Sequence, residues 1–185
     1  MRKLMVFNTM SLDGFIADSS SDMSWAHKQD DEWNSFVAGN ASGEGVLVFG
    51  RKTYDMMAGY WPTPMAAVNS PVVARRMNEL HKIVFSRTME KPSWQNTTLL
   101  QGELTHDVRR LKQLSGPDLV IIGSASIVAQ LSAARLIDEY QIALSPVLLG
   151  AGKSMFAEIG EKLALKLAST RSFQNGNVFL TYHRA

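Results

Sequence analysis

Val46-Leu47-Val48-Phe49-Gly50-Arg51-Lys52-Thr53 is the stretch on which the fold class turns. Four apolar, mostly branched residues predict a buried strand, Gly50 ends it, and residues 51–58 continue as a helix that stops at Gly59 ahead of Tyr60, Trp61 and Pro62. A strand passing through one glycine into a helix leaves free N–H groups beside two cations and a hydroxyl. Cations at a helix start oppose its dipole, so this turn asks for an anion; a glycine turn with a solvated basic first turn is the alternative.

Working outward, residues 3–9 place Leu4, Val6 and Asn8 on one face and Met5, Phe7 and Thr9 on the other, the pattern of a strand buried on both sides. Asp30 can cap a helix whose Trp33, Phe36 and Val37 fall at i, i+3 and i+4, with Gly39 and Asn40 as stops. Ser70-Pro71 makes an N-cap and first-position pair for a further short helix. Residues 82–86, 97–100 and 119–122 read as strands, while Leu104, Val108 and Leu111, then Ile127, Val128 and Leu131, carry helical spacing. Tyr140, Ile142 and Leu144 alternate as a strand, and residues 163–173 with 178–182 form a closing hairpin around Asn175-Gly176. Strands alternating with helices predict an α/β fold: a mainly parallel central sheet, helices on both faces and antiparallel C-terminal strands. Ligands in such sheets bind beyond the carboxyl ends of strands, which singles out the junctions after Phe7, Phe49, Phe85 and Ile122.

Composition narrows the chemistry. At 185 residues, 45% hydrophobic and 19% charged, the chain reads as one globular domain over 1–185 and not as a disordered, collagenous or solenoid protein. A net charge of +2 is too small an excess for a nucleic-acid partner. With no cysteine, disulfides, thiolate zinc sites, iron–sulfur clusters and cysteine nucleophiles are excluded together. His27, His81, His106 and His183 are scattered without metal-ligand spacing, so no metal is expected. The apolar run 4–7 stops at Asn8, too short for a signal core or a membrane span, and the expectation is a cytoplasmic protein without a membrane partner.

Several patterns imitate known motifs. Gly152-Lys153-Ser154 looks like the end of a phosphate-binding P-loop, but that motif needs glycine five positions earlier, where Val147 stands. Gly43-x-Gly45 precedes a strand where a dinucleotide fingerprint must follow one. Two other strand ends are more informative. Ser86-Arg87 is a polar, cationic junction, and Gly123-Ser124-Ala125-Ser126 is a small-residue turn that lets phosphates approach backbone N–H groups or packs a helix tightly on the sheet. Asp13 follows the first strand, where Asx-turn duty competes with a role on the ligand rim. Asp30, Asp31 and Glu32 open a helix, where the dipole favours carboxylates without any catalytic purpose.

Taken together, residues 11–17 (SLDGFIA), 48–54 (VFGRKTY), 60–62 (YWP), 121–124 (IIGS), 136–139 (LIDE) and 146–152 (PVLLGAG) resemble the dihydrofolate-reductase-like family across nearly the whole chain. Within it, the likeness is to the branch of the reductase domain of the bifunctional riboflavin-biosynthesis deaminase-reductase, standing alone. The resemblance implies a three-layer fold, and NADPH held by Gly50, Arg51, Lys52 and Thr53 at the phosphates, Ser86 and Arg87 near the adenosine phosphate, and Gly123, Ser124, Ala125, Ser126 and Ile127 along the pyrophosphate. It further implies a small heterocyclic substrate near Asp13, Ser11, Gly14, Asp31, Tyr54 and Trp61, and a homodimer, for which the apolar stretch 140–149 is a candidate contact. Two departures stand out. There are no cysteines for the zinc deaminase half, and Phe15 occupies a position where the riboflavin-pathway reductases carry a basic or polar residue.

The activity so implied is NADPH-dependent reduction of a small heterocycle, similar to 5-amino-6-(5-phosphoribosylamino)uracil reductase, with Asp13 as the residue that orients substrate or handles a proton. Dihydrofolate or pterin reduction is the rival enzyme reading and needs an acid on the first helix inside the pocket. A non-catalytic nucleotide-binding dimer module is the rival from another class.

Overall fold

A computed structural model describes residues 1–26, 30–41, 43–157 and 159–185. His27, one of the four histidines weighed above, lies outside the described residues. The chain begins with strand β1 (Leu4–Ser11) and a short β2 (Phe15–Asp18), then α1 (Asp31–Ala41), β3 (Val46–Gly50) and α2 (Arg51–Tyr60). Two short helices follow, α3 (Pro64–Asn69) and α4 (Pro71–Glu79), and then β4 (Lys82–Phe85) and β5 (Thr97–Leu100). The second half runs α5 (Leu104–Gln113), β6 (Leu119–Ile122), α6 (Ala125–Ala133), β7 (Glu139–Ser145), β8 (Gly152–Ser154), β9 (Leu165–Ser172) and β10 (Val178–Arg184).

Eight strands form one sheet in the order β5-β4-β3-β6-β1-β7-β10-β9. From β5 to β7 every neighbouring pair is parallel, and β10 turns antiparallel to both β7 and β9. Alternation along β3 sorts the layers: Val46 and Val48 face Val108 of α5 and Ile127 and Leu131 of α6, whereas Leu47 and Phe49 face Tyr54 of α2 and Met77 of α4. On that second face α1 seats Trp33 and Phe36 against Phe173 and Phe179, with Trp33 edge-on to Phe173 at 4.9 Å. Helices on both faces of a mainly parallel sheet explain why β3 is apolar at every position but its terminal glycine.

Four details differ from the sequence reading. β2 and β8 pair antiparallel as a separate two-stranded ribbon, joining segments too short and too distant in sequence to show a period. α3 was not expected; Thr63 caps it by accepting from the Ala66 N–H, with Pro64 in the first turn. Ser70 does stand at the start of α4, but its side chain makes no capping bond. The strand portion of the apolar stretch 140–149 is accounted for by burial, since β7 lies between β1 and β10 and Tyr140, Ile142 and Ala143 are core residues, while Leu148 beyond the strand is exposed. Among the described residues, no helix is long and apolar enough to cross a membrane.

Candidate active site

The sheet has a step. β3 and β6 end at Gly50 and Ile122, while β1 and β7 run on in register to Ser11 and Ser145. Across this step the ends of three strands are tied by side-chain bonds. The Gly50 N–H donates to Ser124 Oγ at 2.8 Å, and the Ser124 N–H donates to Thr53 Oγ1 at 3.0 Å. Asn8, buried in β1, accepts the Gly123 N–H at 2.6 Å through Oδ1. Gly123 and Ser124 are successive left-handed residues, with φ of +66° and +56°. The approach is close: a Cβ on Gly123 would stand 2.8 Å from Thr53 Cγ2, nearer than real contacts allow, and one on Gly50 would sit tightly at 3.3 Å from Ile127 Cδ1.

This knot brings the N-termini of α2 and α6 together, and neither has a side-chain cap. α4 shares this lack of a side-chain cap, whereas α1, α3 and α5 are capped. Asp30 Oδ1 accepts the Trp33 N–H, Thr63 caps α3, and Glu103 accepts the Thr105 and His106 N–H groups of α5. Two first turns without side-chain caps leave backbone N–H groups unsatisfied at positive dipole ends, a cradle that can receive an anion.

A cleft of about 360 Å³ opens beside the cradle. Its apolar wall includes Phe7, Ile16, Met23, Met56 and Met57, and its polar groups include Asn8, Thr9, Lys52 and Lys153. No carboxylate is among the described residues that line it. A second cleft, of about 450 Å³, lies past the first turn of α2 and is lined by Arg51, Tyr54, Asp55, Thr88, Glu90 and Lys91 among others. Arg51 donates to Thr88 Oγ1 at 2.6 Å and pairs with Asp55 at 3.4 Å. Ser86 Oγ accepts the N–H groups of Thr88 and Met89, which shapes the turn that carries Thr88.

Of the residues singled out in the sequence, Gly50, Thr53, Gly123 and Ser124 are brought into one knot, with Lys52 beside it in the first cleft and Arg51 in the second. Ala125 and Ser126 continue into the first turn of α6, Ile127 is buried in the core, and Arg87 is exposed outside the lining of the second cleft.

The substrate-side residues are placed otherwise. Asp13 does not line the first cleft. Its carboxylate accepts from Ser11 Oγ at 2.7 Å, from the Leu149 N–H at 3.0 Å and from the Gly150 N–H at 2.7 Å, so it ties the loop after β1 to the loop before β8. Those bonds, the Ser11 hydroxyl first, hold its carboxyl below the ordinary aspartate value. Ser11 is fully buried and also accepts the Phe15 N–H, and Gly14 turns the loop at φ +92°. Tyr54 is in the core, its hydroxyl accepting the Trp94 N–H at 2.8 Å, and it reaches only the second cleft. Trp61 donates to Met57 Sδ and lies outside the lining of both clefts.

The three acids of α1 are accounted for without substrate. Asp30 is the cap, Asp31 is exposed on the first turn, and Glu32 pairs with Arg171 at 3.0 Å. Several cleft residues are not singled out by the sequence reading, Asn8, Met56, Met57 and Lys153 among them. Asn8 carried a visible signal, a lone amide inside an apolar strand; Lys153 sat within the rejected P-loop imitation and enters the cleft only because β8 pairs with β2.

Known proteins resemble this chain in sequence and fold. The model of the RibD C-terminal domain family matches residues 2–179. YyaP, an uncharacterized protein of Bacillus subtilis (strain 168), is 26% identical over 98% of this chain and 95% of its own length. The crystal structure of a Shewanella sp. PV-4 protein assigned to riboflavin biosynthesis superposes with a TM-score of 0.75 at 26% identity, covering 99% of both chains. Dihydrofolate reductase of Enterococcus faecalis, solved with NADP(H), shares the fold with a TM-score of 0.66 at 17% identity, covering 98% of this chain and 96% of that one. A parallel sheet with antiparallel final strands, stepped at Gly50 and Gly123 and matched over residues 2–179, makes this chain a member of the RibD C-terminal domain family, with a dihydrofolate-reductase-like fold.

Proposed function

We propose that this protein is an NADPH-dependent reductase of a small heterocyclic compound. Family membership supports an oxidoreductase of the RibD and dihydrofolate-reductase-like type. The observation that carries the finer reading is the pair of uncapped helix starts locked together by Gly50, Thr53 and Ser124 beside a largely apolar cleft. When bound, the cofactor supplies the hydride. The first turns of α2 and α6 would hold its pyrophosphate, Arg51 and Lys91 in the second cleft would meet the adenosine phosphate, and Phe7, Met56 and Met57 would give the rings an apolar wall that excludes water. With no carboxylate among the described lining residues, the accompanying proton comes from water at the mouth of the cleft. That also argues against folate reduction, whose helix acid has no counterpart here among Asp30, Asp31 and Glu32.

The test is a fluorescence titration with NADPH and NADH, followed by a turnover screen over pyrimidines, pterins and flavin precursors. NADPH is expected to bind at least about tenfold tighter, and Arg51→Ala to narrow the gap by roughly 1–3 kcal/mol, the range for a hydrogen bond to a charged group. Equal curves for the two cofactors would remove the 2′-phosphate assignment. Binding without any NADPH oxidation across the screen would leave a nucleotide-binding module.

Asp13 belongs to this reading as a positioning residue. In Asp13→Asn the amide oxygen can keep accepting the Leu149 and Gly150 N–H groups, but the NH₂ then stands where Oδ1 accepts the Ser11 hydroxyl; that bond and the negative charge are lost, so the loop is held less firmly. KM for the heterocycle is expected to rise about tenfold while kcat and NADPH affinity stay within about threefold. A fall in kcat of about 10² with KM unchanged would restore Asp13 to proton transfer.

A homodimer completes the proposal. β9 is an edge strand with all eight residues exposed, including Leu165 and Leu167, and such an edge is a template for a second chain. Light scattering at micromolar concentration is expected to give twice the chain mass, and Leu167→Lys to give the monomer.

A further inference from the structure

The first cleft has cations and no counter-charge. Lys52 from α2 and Lys153 from β8 both line it, neither is ion-paired with any described residue, and no described lining residue is acidic. Lys52 belongs to the first turn of α2, where the proposed function puts the cofactor's pyrophosphate. Lys153 has no such neighbour. It is delivered by the ribbon in which Ala17 pairs with Lys153 and Asp18 with Gly152, and β2 lines the same cleft through Ile16 and Ala17. The ribbon closes this tightly because position 152 is glycine: a Cβ there would collide with the Ala17 carbonyl oxygen and come within 3.2 Å of Asp18 Cα. Any side chain at 152 therefore lifts β8 from β2 and moves Lys153 away from the cleft.

We infer that Lys153 is the specificity-determining cation of this cleft, selecting heterocycles that carry an anionic substituent. The inference rests on the cleft being the substrate site and adds the substrate class. An apolar wall rich in methionine accepts a flat ring and discriminates little among rings of similar size. The exposed Lys153 ammonium at its edge discriminates by charge, because a carboxylate gains a charge-assisted bond there while a neutral analogue leaves the lysine with water.

The experiment is isothermal titration of the full chain with two probe pairs that differ by one carboxylate: orotate against uracil, and pterin-6-carboxylate against pterin. The acid of each pair is expected to bind at least about tenfold tighter than its neutral partner. Lys153→Met should bring both ratios to within about twofold, Lys153→Arg should retain most of the preference, and Gly152→Ala should lower it without changing any charge. NADPH is titrated on the same preparations and should bind Lys153→Met as it binds the parent. Undiminished preference in Lys153→Met overturns the inference, as does equal binding of acid and neutral partner, or no binding of either acid at millimolar concentration. Loss of NADPH binding in the parent with the Lys153-dependent preference intact would instead sink the reductase reading and leave this site standing.

Discussion

Gly123→Ala should weaken NADPH binding by about 100-fold or more and lower stability by roughly 1–3 kcal/mol, the cost of holding an ordinary residue in a left-handed conformation. Two effects act at once. The φ of +66° disfavours any side chain, and the new Cβ would stand 2.8 Å from Thr53 Cγ2. Relief by moving Thr53 breaks the bond from the Ser124 N–H to Thr53 Oγ1, and relief by moving residue 123 breaks the bond from its N–H to Asn8. Either way the starts of α2 and α6 separate, and a pyrophosphate no longer meets both. Thr53→Ser removes the offending methyl and keeps the hydroxyl, so the double variant should recover a large part of the lost affinity. That coupling is read from a double-mutant cycle of NADPH titrations. If Gly123→Ala binds NADPH like the parent, the knot is packing and the cradle lies elsewhere.

What could be read from the sequence follows from how local each signal is. β3, Gly50 and α2 are contiguous, so their apolar run, glycine and helical stretch are visible together in one segment. The same holds for β6 and Gly123. The ribbon of β2 and β8 is the opposite case: pairing Phe15 with Ser154 joins distant segments of four and three residues, and nothing in either announces the other. In sequence Lys153 therefore shows only a motif it fails, although its place in the cleft is set by Gly152 and Ala17.

Asp13 shows the same limit from the other side. Its position after β1 correctly marked a strand end, but the position of a carboxylate in the chain does not say which donors it meets. Here they are Ser11, two residues away, and the amides of Leu149 and Gly150, 136 and 137 residues on. Tyr140 to Leu144 were equally ambiguous, since an apolar strand looks the same whether a neighbouring strand or another subunit covers it. The sheet order, with β7 between β1 and β10, resolves that in favour of the interior.

Lys82 was legible only as a strand residue, yet it is fully buried, and Lys82→Ala is expected to cost about 3–5 kcal/mol. Its ammonium donates to the carbonyls of Met77, Asn78 and Leu80, where α4 ends, at 2.6 to 3.1 Å, and lies 4.5 Å from the Trp94 ring centre. Alanine removes about three buried methylenes, at about 0.8 kcal/mol each, and takes the donor from three acceptors at once. Lys82→Met separates those contributions, because it keeps the stem and loses only the ammonium. Burial pushes the Lys82 pKa down to about 8, below the ordinary 10.5. Between those values the unfolded chain still holds a proton that the folded chain has released, so stability should rise with pH across that window, by up to about 1.4 kcal/mol per pH unit. Below pH 8 both states are protonated and Lys82 adds no slope. Urea unfolding of the parent and Lys82→Met from pH 7 to 10 isolates the contribution, since the other titrating groups are common to both. The parent is expected to gain on the variant as the pH rises. Parallel curves would mean that the three carbonyls offset the burial fully and that Lys82 stays charged throughout.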